Sequence, residues 1–169
     1  MPLRPSFVFL SMLIATAPAT LAAPRVAVFD FELIDTSLDG QTYGVRADEK
    51  ERLKKISDQA RQALANSGRF DIVDIGPVEA AAHEANLQAC GACDAALARK
   101  VGADLSITGT VQKVSNLILN MNIYVRDAVS HKLIAARSAD FRGNTDESWS
   151  RALNYLTRNY LLVPNFGEK

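Results

Sequence analysis

Residues 116–127 read NLILNMNIYVRD. Leu117, Leu119, Met121, Ile123 and Val125 fall on one side of a two-residue repeat, and Asn120, Asn122, Tyr124 and Arg126 on the other. That period belongs to a β-strand with one apolar and one wet face. The stretch therefore needs a cover on one side only, and its polar side stays available to solvent or to a partner.

Working outward, Asp104–Val114 shows the same period. Leu105, Ile107, Gly109 and Val111 alternate with Ser106, Thr108, Thr110 and Gln112. Downstream, residues 127–131 (DAVSH) supply a turn, and Lys132–Arg142 forms a third antiparallel strand whose muddier alternation allows a bulge. A helix follows. Asn144 and Glu147 have capping-box spacing, and Trp149, Leu153, Leu156, Tyr160 and Val163 make an apolar stripe that Pro164 ends.

Upstream, Arg25–Phe31 (RVAVFDF) is a short apolar run suited to a buried strand. Asp48–Ser67 carries Leu53, Ile56, Ala60, Ala63 and Leu64 at helical spacing, opposite a charged face with Glu49, Lys50, Lys54, Lys55, Asp58 and Arg61. Gly68 stops that helix. Phe70–Asp74 reads as a second strand, which makes a right-handed parallel crossover. Pro77 opens an alanine-rich helix over Val78–Leu87, Cys90–Cys93 interrupts it, and helix returns over Asp94–Val101. The order β-α-β-α-α-β-β-β-α predicts an α/β two-layer sandwich: a mixed five-stranded sheet with helices on one face.

The first 23 residues have a different grammar. A single cation at Arg4, an apolar stretch from Phe7 to about Ala17 and small residues at Ala19, Ala22 and Ala23 predict a secretory signal cleaved near Ala22 or Ala23. The expected arrangement is residues 1–23 as signal peptide and 24–169 as a single domain, located in the periplasm. No cysteine stands at the junction to carry a lipid anchor, and no later stretch approaches the roughly 20 apolar residues of a membrane span. The chain has 19 Lys plus Arg and 19 Asp plus Glu. Loss of Arg4 leaves the remainder close to neutral, without the positive field that nucleic acid rewards.

Three stretches carry a resemblance: RVAVFDF at 25–31, ALANSGRFDIVD at 63–74 and ALARKVGADLSITGTV at 96–111. With the element order, they resemble the α/β domain shared by the N-terminal part of TolB and by the envelope proteins CsgG and LpoB. FELIDTS (31–37), TVQKVSNLILNMNIYVRDA (110–128) and RGNTDESWSRAL (142–153) are similar to a family of small exported bacterial proteins known only as a domain of unknown function. The resemblance implies a docking module in a periplasmic assembly rather than an enzyme. CsgG and LpoB carry a lipid-anchor cysteine that this sequence lacks.

The sharpest chemical feature is Cys90-Gly-Ala-Cys93. Two cysteines in one exported domain predict a disulfide, with about 2 kcal/mol from closing so short a loop. The alternative is a thiol-disulfide or metal-handling protein that uses the same pair. A zinc site drawing on His83, Asp94 or His131 lacks a second paired motif, and haem attachment fails because Asp94 stands where a histidine should follow Cys93. Glu32–Ala47 is long for a strand-to-helix connection and lies at the carboxyl end of the first strand, where open α/β sheets place ligands. It carries Glu32, Asp35, Asp39 and Tyr43, without the ligand spacing of a calcium loop. A surface loop is the plainer reading. No catalytic constellation and no cofactor motif emerges. The sequence points to a non-enzymatic accessory module that docks a periplasmic or envelope protein through Glu32, Asp35, Asn120, Asn122, Tyr124 and Arg126.

Overall fold

The structure is a computed structural model, and it describes residues 22–163. The expected signal peptide, apart from Ala22 and Ala23, and the expected helix stop at Pro164 lie outside those residues. The strands are β1 (Arg25–Val28), β2 (Glu32–Asp35), β3 (Asp71–Ile72), β4 (Leu105–Lys113), β5 (Ile118–Asp127) and β6 (Leu133–Arg142). The helices are α1 (Leu38–Tyr43), α2 (Ala47–Asn66), α3 (Gly76–Glu84), α4 (Cys93–Lys100) and α5 (Asp146–Leu156), the last running into a π-helical turn at Thr157–Leu161.

The sheet is mixed. Its order is β3-β1-β4-β5-β6, with β1 parallel to β3 and β4, and β4-β5-β6 an antiparallel meander. The sixth strand, β2, was not anticipated. It pairs with β4 in parallel, Glu32 opposite Thr110 and Asp35 opposite Lys113, beyond the stretch where β1 pairs Val26 with Leu105. β1 and β2 thus follow one another along the same side of β4, and much of the expected loop is ordered strand followed by the short helix α1. Ser37 caps α1 by accepting from the Gly40 amide.

Alternation decides which helices go where. Val26 and Val28 join Ile107, Val111, Leu119, Met121, Ile123 and Val125 in the main core, closed by Ile56, Ala60 and Leu64 of α2 and Trp149, Leu153 and Leu156 of α5. This gives the two-layer α/β arrangement that the element order predicts. Ala27 and Phe29 point the other way. They meet Val78 and Ala82 of α3 and Leu97 and Ala98 of α4 in a smaller cluster behind the β1 end of the sheet. The polar row of β5 lies on the side away from the main core; its Tyr124 and Arg126 end borders Leu87 and α4 of the smaller cluster.

Three local expectations are corrected. Leu117 lies in the turn before β5 and is exposed rather than on the oily face. Asn144 does not cap α5; Thr145 does, by a reciprocal exchange with Ser148, which frees Asn144 to accept from Trp149 Nε1 at 3.0 Å. Glu49, assigned above to the charged outer face of its helix, is fully buried.

Candidate functional site

The open face is built by β5 and β6; on β4 the expected wet row is instead buried at Ser106, Thr108 and Thr110, so that strand is buried on both sides and only Gln112 of the row is exposed. On β5 the row Leu119, Met121, Ile123 and Val125 is buried, while Asn120, Asn122, Tyr124 and Arg126 are half-buried on the opposite side. Asn120 Nδ2 donates to Ser138 Oγ and to Asp140 Oδ1, both at 2.7 Å, and Asn122 Nδ2 donates to Thr110 Oγ1 at 3.3 Å. These cross-strand contacts hold the amides flat against the sheet. Tyr124 borders a cavity of about 300 Å³ together with Ile34, Leu87, Thr108, Thr110 and Leu133. Arg126 is tied at the end of the row: its Nη1 donates to the His131 carbonyl, and its Nε lies 3.3 Å from Asp94 Oδ1.

The structure separates the two acids proposed from the β2 segment. Glu32 is half-buried beside Leu87 and Gln88; burial raises its carboxyl above the ordinary carboxylate range, against contacts from Leu87, Gln88 and His83 that lower it. Asp35 turns inward. Its Oδ2 lies 3.0 Å from Lys113 Nζ, and its Oδ1 accepts from the Ser37 amide.

Lys113 completes an enclosed ionic cluster that sequence reasoning missed. Its Nζ donates to Glu49 Oε1 at 2.7 Å, and the side chains of Lys113, Glu49 and Asp35 are 1%, 0% and 4% exposed. Glu49 also accepts from Asn144 Nδ2 at 2.7 Å and from the Arg46 amide at 3.1 Å. One ammonium thus faces two carboxylates, and N–H donors absorb the remaining negative charge. Burial pushes both carboxyls up, but Lys113 and these donors outweigh it and hold Asp35 and Glu49 below their ordinary range. Burial likewise lowers Lys113, and its two carboxylate partners more than reverse that. Sealed from water, the cluster clamps β2, α2, β4 and the β6–α5 turn together. It offers nothing to a ligand.

Above this clamp the surface is apolar. Asn116 Nδ2 donates to Asp39 Oδ2 at 2.9 Å, joining the β4–β5 turn to α1. Leu38, Tyr43, Val114, Leu117 and Ile118 around that junction are all more than half exposed. Apolar exposure rimmed by polar groups is the ordinary mark of a protein contact.

Cys90 and Cys93 are joined by a disulfide with Cα atoms 5.6 Å apart. It sits where the chain turns into α4, and Gly91 and Ala92 both adopt positive φ to make that turn. Cys93 packs against the smaller cluster.

Among solved structures, the fold is similar to LpoB from Escherichia coli, at 15% identity and TM-score 0.52 over 83% of this chain and 79% of that one. It is also similar to the LpoB C-terminal domain from Salmonella enterica, at 17% identity and TM-score 0.51 over 73% and 86%. A PelC dodecamer from Paraburkholderia phytofirmans gives 13% identity and TM-score 0.51 over 85% and 93%. At such identities the likeness is one of fold. No curated protein matches the sequence. The family model DUF3280, described as protein of unknown function (DUF2380), matches residues 24–161, and the chain belongs to that family.

Proposed function

We propose that this protein is a non-catalytic accessory module of the bacterial envelope, exported by residues 1–23 and acting as one unit over residues 24–169. It docks a periplasmic or envelope protein on the open face of its sheet. The observation that carries this reading is the split along β5: one row is sealed in the main core by α2 and α5, while Asn120, Asn122 and Tyr124 on the other side remain partly exposed. Glu32 lies beyond the cavity that borders Tyr124, and the exposed apolar tip around Leu38 and Leu117 extends the contact at the other end. The fold shared with LpoB supports the same reading. So does the enclosure of Asp35, Glu49 and Lys113, whose charges are spent on the fold rather than on a substrate.

The test is site-specific photo-crosslinking in intact cells. A crosslinker at Asn120, Asn122 or Tyr124 should give an adduct with one and the same protein, and a crosslinker at Lys54 on the outer face of α2 should give none. Absence of adducts from the sheet positions, or equal adducts from Lys54, overturns the reading. Sequencing of the N-terminus from the periplasmic fraction checks the export step, with Ala23 or Pro24 expected as the first residue.

A further inference from the structure

A second feature stands apart from the open face. β1 ends beside α3, and the turn after β1 brings Asp30 against the outer surface of that helix. Glu79 and His83 are four residues apart on α3, so both project from one face. One donor atom from each of Asp30, Glu79 and His83 lies within 4.8 Å of the other two.

The spacing of these atoms is informative. His83 Nε2 is 3.5 Å from Asp30 Oδ2 and 3.8 Å from Glu79 Oε1. Both distances exceed those of ordinary hydrogen bonds. Ligands at about 2.0–2.1 Å from a tetrahedral zinc ion stand about 3.3 Å from one another. Both contacts of His83 are thus longer than direct hydrogen bonds and within about half an ångström of the span that a shared cation would impose, while Asp30 and Glu79 stand within 4.8 Å of each other.

The surroundings agree with an ion rather than a plain ion pair. Arg61 engages Asp30 through Oδ1, which leaves Oδ2 directed at His83. Asp30, Glu79 and His83 line a small cavity of about 50 Å³, and the Glu32 carboxyl shares it. All three donors keep contact with solvent, so an ion has a way in. Asp30, Glu32 and Glu79 surround one imidazole, and the nearby cations are Arg61, bound to the other oxygen of Asp30, and Lys50 and Lys54, which line the neighbouring cavity. Imidazole with carboxylates suits zinc and neighbouring transition metals better than calcium or magnesium, which take all-oxygen shells.

We propose that Asp30, Glu79 and His83 form a binding site for a divalent transition cation of the zinc type, with Glu32 at its edge and one coordination position left to water. The ion pins the turn after β1 to α3. This site uses neither cysteine; it shares Glu32 with the docking reading above, but its three ligands lie outside that surface and its test does not depend on a partner.

Zinc sulfate alone, titrated calorimetrically into chelator-treated protein in a non-coordinating buffer at pH 7.5, tests the site. One saturable event per chain is expected. His83→Ala and Glu79→Gln should each weaken it at least tenfold, and His131→Ala should leave it unchanged. Both substituted donors are exposed, and circular dichroism checks that each variant keeps the fold. No saturable binding, unaltered affinity in His83→Ala, or an equal loss in His131→Ala overturns the proposal.

Discussion

Lys113 Nζ and Glu49 Oε1 meet at 2.7 Å across 64 residues of chain, both sealed from solvent. The last residue of β4 and the first turn of α2 are thereby locked in register. Removing one member of such a cluster strands its partners as unpaired buried charges. Lys113→Met should therefore cost about 3–5 kcal/mol in urea unfolding, a far larger loss than Lys54→Met on the exposed face of the same sheet-covering helix. Equal effects of the two substitutions would show the cluster to be inconsequential.

The same cluster sets a pH window. Asp35 and Glu49 are held below their unfolded values, so their contribution is complete above about pH 4–5 and is lost as pH falls through the depressed folded values. Lys113 is held above its unfolded value, so its contribution is complete below about pH 10 and fades as pH rises through the raised one. Thermal melts should show a broad plateau between these limits. In Lys113→Met the alkaline loss should shrink.

The Phe31 ring occupies the space that a side chain on Gly109 of β4 would take. A methyl group added there would run into the Phe31 ring, whose position is fixed within the main core. Gly109→Ala should destabilise by about 1–3 kcal/mol, the usual effect of overpacking. The double variant Gly109→Ala with Phe31→Leu should recover part of that loss, and denaturant midpoints would read both.

Cys90 and Cys93 close a loop of four residues at the turn into α4. Reduction, or the double Cys90→Ala, Cys93→Ala variant, should cost about 2 kcal/mol and leave the far-ultraviolet spectrum unchanged. A structural bridge should have a reduction potential below about −300 mV. A value near that of cytosolic dithiol enzymes would favour the thiol-disulfide alternative.

Asn122→Arg places a large charge in the middle of the open face at little cost to the core. Stability should change by no more than about 1 kcal/mol, while the crosslinked adduct expected from Tyr124 should disappear. An adduct that survives this substitution would move the docking surface elsewhere.

Much of this architecture could be read from local pattern. The β5 alternation and the stripe Trp149, Leu153, Leu156 report directly on burial, because period and exposure are the same physical fact. The ionic cluster could not be read that way. Lys113 closes an alternating strand, where a cation looks solvated, and Glu49 sits in a first helical turn, where an acid suits the helix dipole. Only the long-range register of β2, β4 and α2 brings them together. Asn144 misled for a related reason: capping pattern alone does not distinguish it from Thr145, and the choice is made by Trp149 one turn along and by distant Arg52 and Glu49. The metal-ligand trio was hidden likewise, since Asp30 is separated in sequence from α3 and meets it only once the sheet has formed.

β4 is flanked by β1 and β2 on one side and by β5 on the other, so β2 and, apart from its short pairing with β3, β1 depend on residues 105–113 for their partners. A nascent polypeptide has no template for most of this sheet until that segment leaves the ribosome. Loop closure over some 80 residues then precedes any reward from pairing, which makes assembly slow relative to helical proteins of equal size. A chain built this way completes its sheet only late in its synthesis.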